Sequence, residues 1–468
     1  MDNRISEDRI KKYEKYKKFN HISTINVNDR IKIEKINEQY IGNVKTVVGR
    51  ITKLTKRGIV NFAEIIDETG KISVLLRNEI GRDFRAVANK GDIFSFSGYI
   101  EKDKFFDEII CRATNFNLIR KCLINFSSVL GNDKERYGNR YLDFVVTQRS
   151  REILQLHSKI NKSVKQYLWG EGFEEYHTPA ISTTYNGGTS TPFVCDIKAL
   201  NKKGYLRVSS ELNMMQIIAA GMPAIFEINS QFRNEGMDDS FMQEFTLLEM
   251  YKTFCTTDGM LKHTLKMLET IFINANGEPY INCDDRRIRC GINDWRVVNA
   301  YEHIKENYNI DILTDKKSIL DQSRKIGINS SENSSLTTII ENVIDRTIRR
   351  KIREPIIIKN LPCDMTPLVK KFQKDERFSD RYWLFLNNVD FCDIAAKQDE
   401  YKEQYNALLK QFEEVKVMKD NMGINNDILN TFAYGVPPTV GVGLSVTRLM
   451  QAMTGVKKIT ETSLFPLV

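Results

Sequence analysis

Between residues 44 and 118, apolar residues come in short stretches that alternate in places: VKTVVGRI, GIVNFAEIID, GKISVLLR and DIFSFSGYI. These are punctuated by Lys56-Arg57-Gly58, Glu68-Thr69-Gly70 and Lys90-Gly91-Asp92. Strands this short and evenly spaced predict a small β-barrel. A fifth strand near residues 105–111 would complete it. Ahead of the barrel, Arg9, Lys11, Lys12, Lys15, Lys17 and Lys18 crowd one helical stretch, readable as a solvated face or as a phosphate-contacting one.

From about residue 146 the period lengthens. Ile153, Leu156, Ile160, Val164, Tyr167 and Leu168 recur at helical spacing, and Gly170 and Gly172 stop the helix. GFEEYHTPAIS follows as a strand-like run bent at Pro179. Strands are expected at 204–208, 224–228 and 244–251, and again in IIIKN, RYWLFL and VDFCDIAA. Between these groups, about 252–350 reads as a helical, more polar insertion. A glycine-rich loop from Tyr434 leads into a helix at 446–453. Strands grouped this way, with helices between, predict an antiparallel α+β domain. The expected organisation is a basic helical extension (1–43), a five-stranded OB-fold barrel (44–120), a linker (121–145) and the larger α+β domain (146–468).

Composition narrows the class. The 468 residues are 41% hydrophobic and 10% aromatic, too apolar for a disordered chain. No apolar run reaches the ~18 residues that a bilayer span needs. The charged stretch MDNRISEDRIKKYEKYKKF lacks the apolar centre of a secretory signal. Eight cysteines without a CxxC pair, and five dispersed histidines, argue against a zinc ribbon, a disulfide scaffold or a metal cluster. A cytoplasmic protein with no membrane segment is expected. The net charge of +8, from 69 Lys+Arg against 61 Asp+Glu, is too small over this length to identify a partner.

The segment FEINSQFRNEGMDDSFMQEFTLLEMY (226–251) sets Arg233, Glu235, Glu244, Glu249 and Tyr251 on two apolar strands joined by a polar loop. Alternation puts Arg233 with Glu235 on one face, and Glu249 with Tyr251. Charges on apolar strands are costly unless paired or lining a ligand site, so a buried salt-bridge network competes with a binding pocket. YGVPPTVGVGLSVTRLMQAMTG places Gly435, Gly441 and Gly443 ahead of a helix bearing Arg448. Glycines at such a junction let a ligand approach the backbone, and an Arg there can grip a phosphate. Two Arg-bearing elements ending in one sheet point to a nucleoside triphosphate. Neither GxxxxGK[ST] nor a strand-linked GxGxxG is present, which disfavours a P-loop or Rossmann site. In the barrel, Lys53, Lys56, Arg57, Phe62 and Glu108 are candidates for a nucleic-acid surface, although Phe62 taken alone reads as a core residue.

These segments resemble motifs 2 and 3 of the class II aminoacyl-tRNA synthetases, and GFEEYHTP resembles motif 1, the dimer-forming element. Within that class the chain resembles the lysyl-tRNA synthetase family. RYLDFVV (140–146), NGGTSTPF (186–193), YLRVSSEL (205–212), FRNEG (232–236), EFTLLEMY (244–251), MTPLVKK (365–371), YGVPPTVGVGL (434–444) and SLFPLV (463–468) match in order. The amino-terminal helix and the barrel match as well. The resemblance implies an OB-fold anticodon-binding domain and a class II antiparallel-sheet catalytic domain flanked by helices. It also implies a homodimer, with ATP, Mg²⁺, an amino acid and tRNA as ligands.

By the same likeness Arg233 would hold the ATP α-phosphate and the amino-acid carboxylate. Glu235 would accept from the adenine amino group and Phe245 would stack on the ring. Arg448 would lie over the other face and reach the γ-phosphate. Gly443 and Asp390 fall to the ATP site, Asp390 as a metal ligand. Gly187, Glu211, Glu249, Tyr251, Asp393 and Lys397 fall to the amino-acid pocket, with Glu211 on the α-amino group. Lys53, Arg57, Phe62 and Glu108 fall to tRNA.

Several positions depart from the family pattern. Trp383 stands where a second metal-binding carboxylate is expected, and an indole cannot ligate Mg²⁺. Lys397 replaces a lysine-selective Glu, while Asp393 and Ala395 replace an Asn and a Phe. An ammonium at Lys397 would repel a lysine side chain, and would pair with Glu249 or Asp393 or meet an acidic or neutral substrate. Asp238 and Asp239 occupy a loop that is ordinarily basic. Thr447 and Ser445 replace an Asp and a Gly, and in the barrel Ser73 and Leu54 replace a Gln and an Arg. The expected function is ATP-dependent activation of an amino acid and its transfer to tRNA. The alternatives are a paralogue that passes the acyl group to a small molecule or protein, favoured by Lys397, and a non-catalytic paralogue, motivated by Trp383.

Overall fold

The computed structural model describes residues 5–19, 30–57, 60–103, 107–125, 130–184, 190–283, 286–365, 368–414 and 426–467. The chain divides into one unit up to Arg151 and a second spanning Glu152–Leu467.

In the first unit, α1 (Glu7–Phe19) precedes the strands β1 (Val44–Arg57), β2 (Val60–Ile66), β3 (Lys71–Leu76), β4 (Ile93–Lys102) and β5 (Ile109–Arg120). Helix α2 (Asn78–Val87) lies between β3 and β4. The strands close into a barrel in the order β1-β2-β3-β5-β4. The five-stranded expectation holds, with the fifth strand later and longer than 105–111. Alternation explains the closure. Ala63, Ile65, Ile72, Val74, Phe94 and Phe96 are buried inside. Phe84 of α2 meets Phe94, Phe96 and Phe116 edge-on, with ring centroids at 5.2, 5.6 and 5.4 Å. Phe62 belongs to the opposite parity of β2 and is half-buried on its outer face, so it is not a core residue. Arg9 of α1 is buried and donates through Nη1 to the carbonyls of Lys90 and Cys122, both at 2.9 Å. That member of the basic run is therefore neither solvated nor turned to a phosphate. Helices α3 (Asp133–Gly138) and α4 (Arg140–Val146) follow, the second being the RYLDFVV stretch. Asp143 is gripped there by Arg136, Arg140 and Ser150.

Helix α5 (Gln148–Gly170) ends at the expected glycine. Then come the short strands β6 (Glu174–Glu175), β7 (Ile181–Ser182), β8 (Val194–Ile197) and β9 (Lys202–Leu206), followed by α6 (Glu211–Ala219). Strands β10 (Ala224–Phe232) and β11 (Glu244–Thr253) precede α7 (Thr257–Asn276). The stretch read as a helical insertion also carries the hairpin β12 (Tyr280–Cys283) and β13 (Arg286–Arg289), and β14 (Arg296–Asn299). Its remaining helices are α8 (Ala300–Tyr308), α9 (Lys316–Lys325) and α10 (Leu336–Thr347). β14 is too short for periodicity to reveal, and it lies at the sheet edge, paired in parallel with its neighbour. The chain continues through β15 (Ile356–Lys359), β16 (Arg381–Leu386), β17 (Val389–Ala396), α11 (Tyr401–Glu414), α12 (Asn426–Ala433), β18 (Thr439–Ser445) and α13 (Val446–Thr454).

The main sheet runs β14-β15-β16-β17-β18-β11-β10-β6, antiparallel except at the β14/β15 and β10/β6 pairs. Even-numbered residues of its central strands (Phe226, Leu248, Met250, Leu384, Ile394, Val442, Leu444) face a core shared with α5, α7 and α13 through Ile160, Leu268 and Leu449. The odd-numbered residues therefore face the other way. In one row Glu249, Gly443, Asp393 and Trp383 stand in register; in the next stand Tyr251, Gly441, Ala395 and Arg381. Between β16 and β17, Asn387 and Asn388 both adopt left-handed backbone (φ 50° and 65°), a two-residue turn that Asn tolerates well. The architecture is α+β, an OB-like barrel and a largely antiparallel sheet flanked by helices. Among the described residues no helix is long and apolar enough to cross a membrane.

Candidate active site

The odd-numbered rows line a cavity of about 430 Å³ that gathers residues from α6, the turn after β10, β11, β16, β17, β18 and α13. At one end is the segment after β10. That strand ends at Phe232, so Arg233 and Glu235 are not strand neighbours sharing a face, as alternation suggested, but lie on the turn beyond. The Arg233 N–H donates to the Gln243 carbonyl and the Asn234 N–H to the Thr191 carbonyl, both at 2.8 Å, which fixes the turn. The Arg233 guanidinium stands 5.2 Å from the centroid of Phe245, within cation–π range. Glu235 is exposed and accepts from the Thr191 N–H at 3.2 Å.

Arg448 enters from α13. Ser445 Oγ caps that helix by accepting from the Arg448 N–H at 3.2 Å, and Thr447 Oγ1 accepts from the Thr246 N–H at 2.9 Å, tying the helix to β11. Two departures from the family pattern thus build the seat of Arg448. Its Nη1 donates to the Asp390 carboxylate, and its guanidinium lies 5.1 Å from the centroid of Phe241. Sequence reasoning gives Phe241 no role; the available signal is a single aromatic in a polar loop. Asp238 turns that loop, its Oδ1 accepting from the N–H groups of Ser240 (2.6 Å) and Phe241 (2.9 Å).

At the other end three carboxylates meet two cations. Lys397 Nζ lies 2.8 Å from Glu211 Oε1, not against Glu249 or Asp393 as expected. Its backbone N–H donates to the Thr439 carbonyl at 2.9 Å, and its ammonium stands 5.6 Å from the Tyr251 ring centroid. Burial works against its charge, but Glu211, then Asp393 and Glu249, hold its pKa above the usual lysine value. Glu249 is buried and accepts from Ser209 Oγ (3.0 Å), the Ser210 N–H (3.3 Å) and Tyr251 Oη (2.7 Å). Burial, then the neighbouring Glu211, push its carboxyl above the ordinary value. Burial and the Glu249 carboxylate likewise raise the Tyr251 hydroxyl well above that of a free phenol. Asp393 accepts from Arg381 Nε at 2.6 Å. Arg381 is a second residue that motif reasoning passes over, although its two-residue spacing from Trp383 on β16 places both on the cavity face.

Asp390 is held by Arg448 and lies 3.7 Å from Arg349. The Trp383 ring packs against Phe385 with centroids 4.7 Å apart and stands 5.5 Å from the Arg381 guanidinium. Among the described residues no three His, Cys, Asp or Glu side chains converge as a metal-ligand set. With Asp390 bound to guanidinium groups and an indole at the companion position, these donors do not fit Mg²⁺.

Gly187 lies outside the described residues, as does the side chain of Arg57, which closes β1. In the barrel, Lys53 pairs with Glu64 and Thr55 with Phe62, so Lys53 and Phe62 share the outer face of the β1–β2 ladder, and Lys53 is exposed. Glu108 is exposed just ahead of β5.

A family model described as tRNA synthetases class II (D, K and N) matches residues 132–468. The chain is similar to the lysine–tRNA ligase of Listeria welshimeri serovar 6b, 29% identical over 433 residues that cover 90% of this chain and 86% of that protein. It is 28% identical to the lysine–tRNA ligase of Methanospirillum hungatei, covering 89% and 85% of the two chains. The enzyme of the same name from Thermoanaerobacter pseudethanolicus is also 28% identical, with coverage of 92% and 88%. The fold, the motif-bearing cavity and these matches agree: the chain belongs to the class II tRNA synthetases of the D, K and N type.

Proposed function

We propose that the protein activates an amino acid with ATP as an aminoacyl adenylate and transfers the acyl group to tRNA. The observation that carries this reading is the pairing of two guanidinium groups with two aromatic rings at one cavity, Arg233 with Phe245 and Arg448 with Phe241. Adenine would lie between Phe245 and Arg448 with its amino group toward Glu235. Arg233 would hold the α-phosphate beside the incoming carboxylate. A carboxylate oxygen attacks the α-phosphorus, the bond to the bridging oxygen breaks, and pyrophosphate departs with that electron pair. Arg233 neutralises the charge that builds on the phosphoryl oxygens, where electrostatic stabilisation is worth most. No side-chain nucleophile is required, since both steps run on positioning. A ribose hydroxyl of tRNA then attacks the acyl carbon and AMP leaves. Gly443 has nothing within 4 Å of where a β-carbon would stand, which keeps the cavity floor open to the ligand.

In this reading residues 146–468 are the catalytic domain. The barrel at 44–120 reads an anticodon through Lys53, Arg57, Phe62 and Glu108, and the enzyme works as a cytoplasmic homodimer. The names of the curated relatives support tRNA as the acceptor. A second reading, transfer to a small molecule or protein, is favoured by the Lys397–Glu211 ion pair, which changes the amino-acid end of the pocket. Amino-acid-dependent exchange of pyrophosphate into ATP, followed by charging of total tRNA, separates the two. Exchange with charging supports the first reading and exchange without charging the second. No exchange with any of the standard amino acids contradicts both.

A further inference from the structure

We infer that Lys397 is a built-in counter-ion that sets amino-acid selectivity, so that the pocket takes α-amino acids with neutral or anionic side chains and rejects cationic ones such as lysine. This rests on the adenylation reading and goes beyond it, since the curated relatives are named for lysine.

The ammonium is placed by structure. Lys397 continues β17, bridges Val369 and is pinned through its N–H to Thr439. Its side chain is largely buried against Tyr251. The neighbouring strand carries a glycine diagonally opposite, at the register partner of Ala395: a β-carbon at Gly441 would come within 2.5 Å of Lys397 Cε. The chain has therefore left room for this side chain to cross the pocket and reach Glu211.

Each acid that could receive a substrate cation already has a protein partner. Glu211 has Lys397, Asp393 has Arg381, and Glu249 has Ser209, the Ser210 N–H and Tyr251. Three carboxylates against these two cations leave one formal negative charge, which the substrate's own α-ammonium balances, so no anionic excess is left for a second substrate ammonium. A carboxylate has two oxygens. Lys397 takes Oε1 of Glu211, and Oε2 can still receive the α-ammonium, so an α-amino acid remains the substrate. A side-chain ammonium, by contrast, would enter beside a like charge in a partly desolvated site, at a cost on the order of 100-fold in specificity.

The test is pyrophosphate exchange by the full-length protein with each standard amino acid, for wild type, K397E and K397Q. Calorimetric titration of lysine, leucine, glutamine and glutamate into each protein with a non-hydrolysable ATP analogue runs in parallel. The expected result is that a neutral or acidic amino acid outperforms lysine by about 100-fold in wild type. K397E should shift that ratio toward lysine by at least about 10-fold, and K397Q by less. Lysine as the best wild-type substrate, or an unchanged ratio in K397E, overturns the inference. If exchange is absent throughout, the adenylation reading fails and the titrations decide this one. Tighter wild-type binding of a neutral or acidic amino acid, reversed in K397E, supports it; preferential lysine binding, or no amino-acid binding at all, overturns it.

Discussion

A β-carbon built on Gly441 would lie 2.5 Å from Cε of Lys397 and 2.6 Å from Cε1 of Tyr251. The glycine is thus the space into which two pocket side chains fold, and its role is steric, since its backbone torsion is not left-handed. Gly441→Ala should displace both. Overpacking of this kind costs about 1–3 kcal/mol, readable as a lower thermal midpoint. KM for the amino acid should rise more than KM for ATP. Equal rises in the two constants would place the damage in the sheet as a whole.

The buried Glu249 gives a pH signature. Burial, then Glu211, raise its carboxyl above the ordinary 4.5. Above that pH the unfolded chain has released a proton that the folded one retains. The group's contribution to stability is therefore complete at low pH and is lost as pH rises through the folded-state value. Glu249→Gln is neutral at every pH, so its stability relative to wild type should improve as the buffer is taken from about pH 4 to about pH 8. Urea unfolding across that range checks this, and a difference independent of pH contradicts it.

The two arginines should fail differently. Arg233→Ala removes charge neutralisation at the reacting phosphorus and should lower kcat for pyrophosphate exchange by about 10²–10³. Arg448→Ala removes a charged hydrogen-bond donor beside Asp390 and Phe241. It should lower kcat/KM for ATP by about 10- to 100-fold. Arg448→Lys keeps the charge but loses the flat stacking face, and should recover only part of the loss. Steady-state exchange kinetics against ATP distinguish these outcomes.

Much of this was legible in the residues. The barrel followed from short apolar runs at even spacing, and the main sheet from its apolar strands, because both rest on local periodicity. Glu249 and Tyr251 share a face as alternation requires, and they are hydrogen-bonded. What sequence could not give was the end of β10, which stops at Phe232 and leaves Arg233 and Glu235 on a turn. Nor could it choose the partner of Lys397. Glu211, Glu249 and Asp393 come from three elements far apart in the chain, and only the packing of α6 against the sheet brings Glu211 within reach. Phe241 was hidden for the same reason: it acts through Arg448, on the distant helix α13.

In the barrel, Lys53 and Phe62 share an outer face. Phe62→Ala should weaken tRNA binding by about 1–3 kcal/mol if a base stacks there. Lys53→Ala should lower the salt dependence of binding by about one phosphate contact. Fluorescence anisotropy of labelled tRNA across a salt series reads both. Unchanged affinity in both variants would remove this face from the interface.

The most direct measurement is mass spectrometry of the complex formed when the protein is mixed with ATP and the standard amino acids without tRNA. The account predicts a protein-bound acyl-AMP that forms in wild type, is lost in Arg233→Ala, and carries an amino acid with a neutral or anionic side chain. Unconverted ATP with every amino acid, or an adenylate that persists without Arg233, would contradict it.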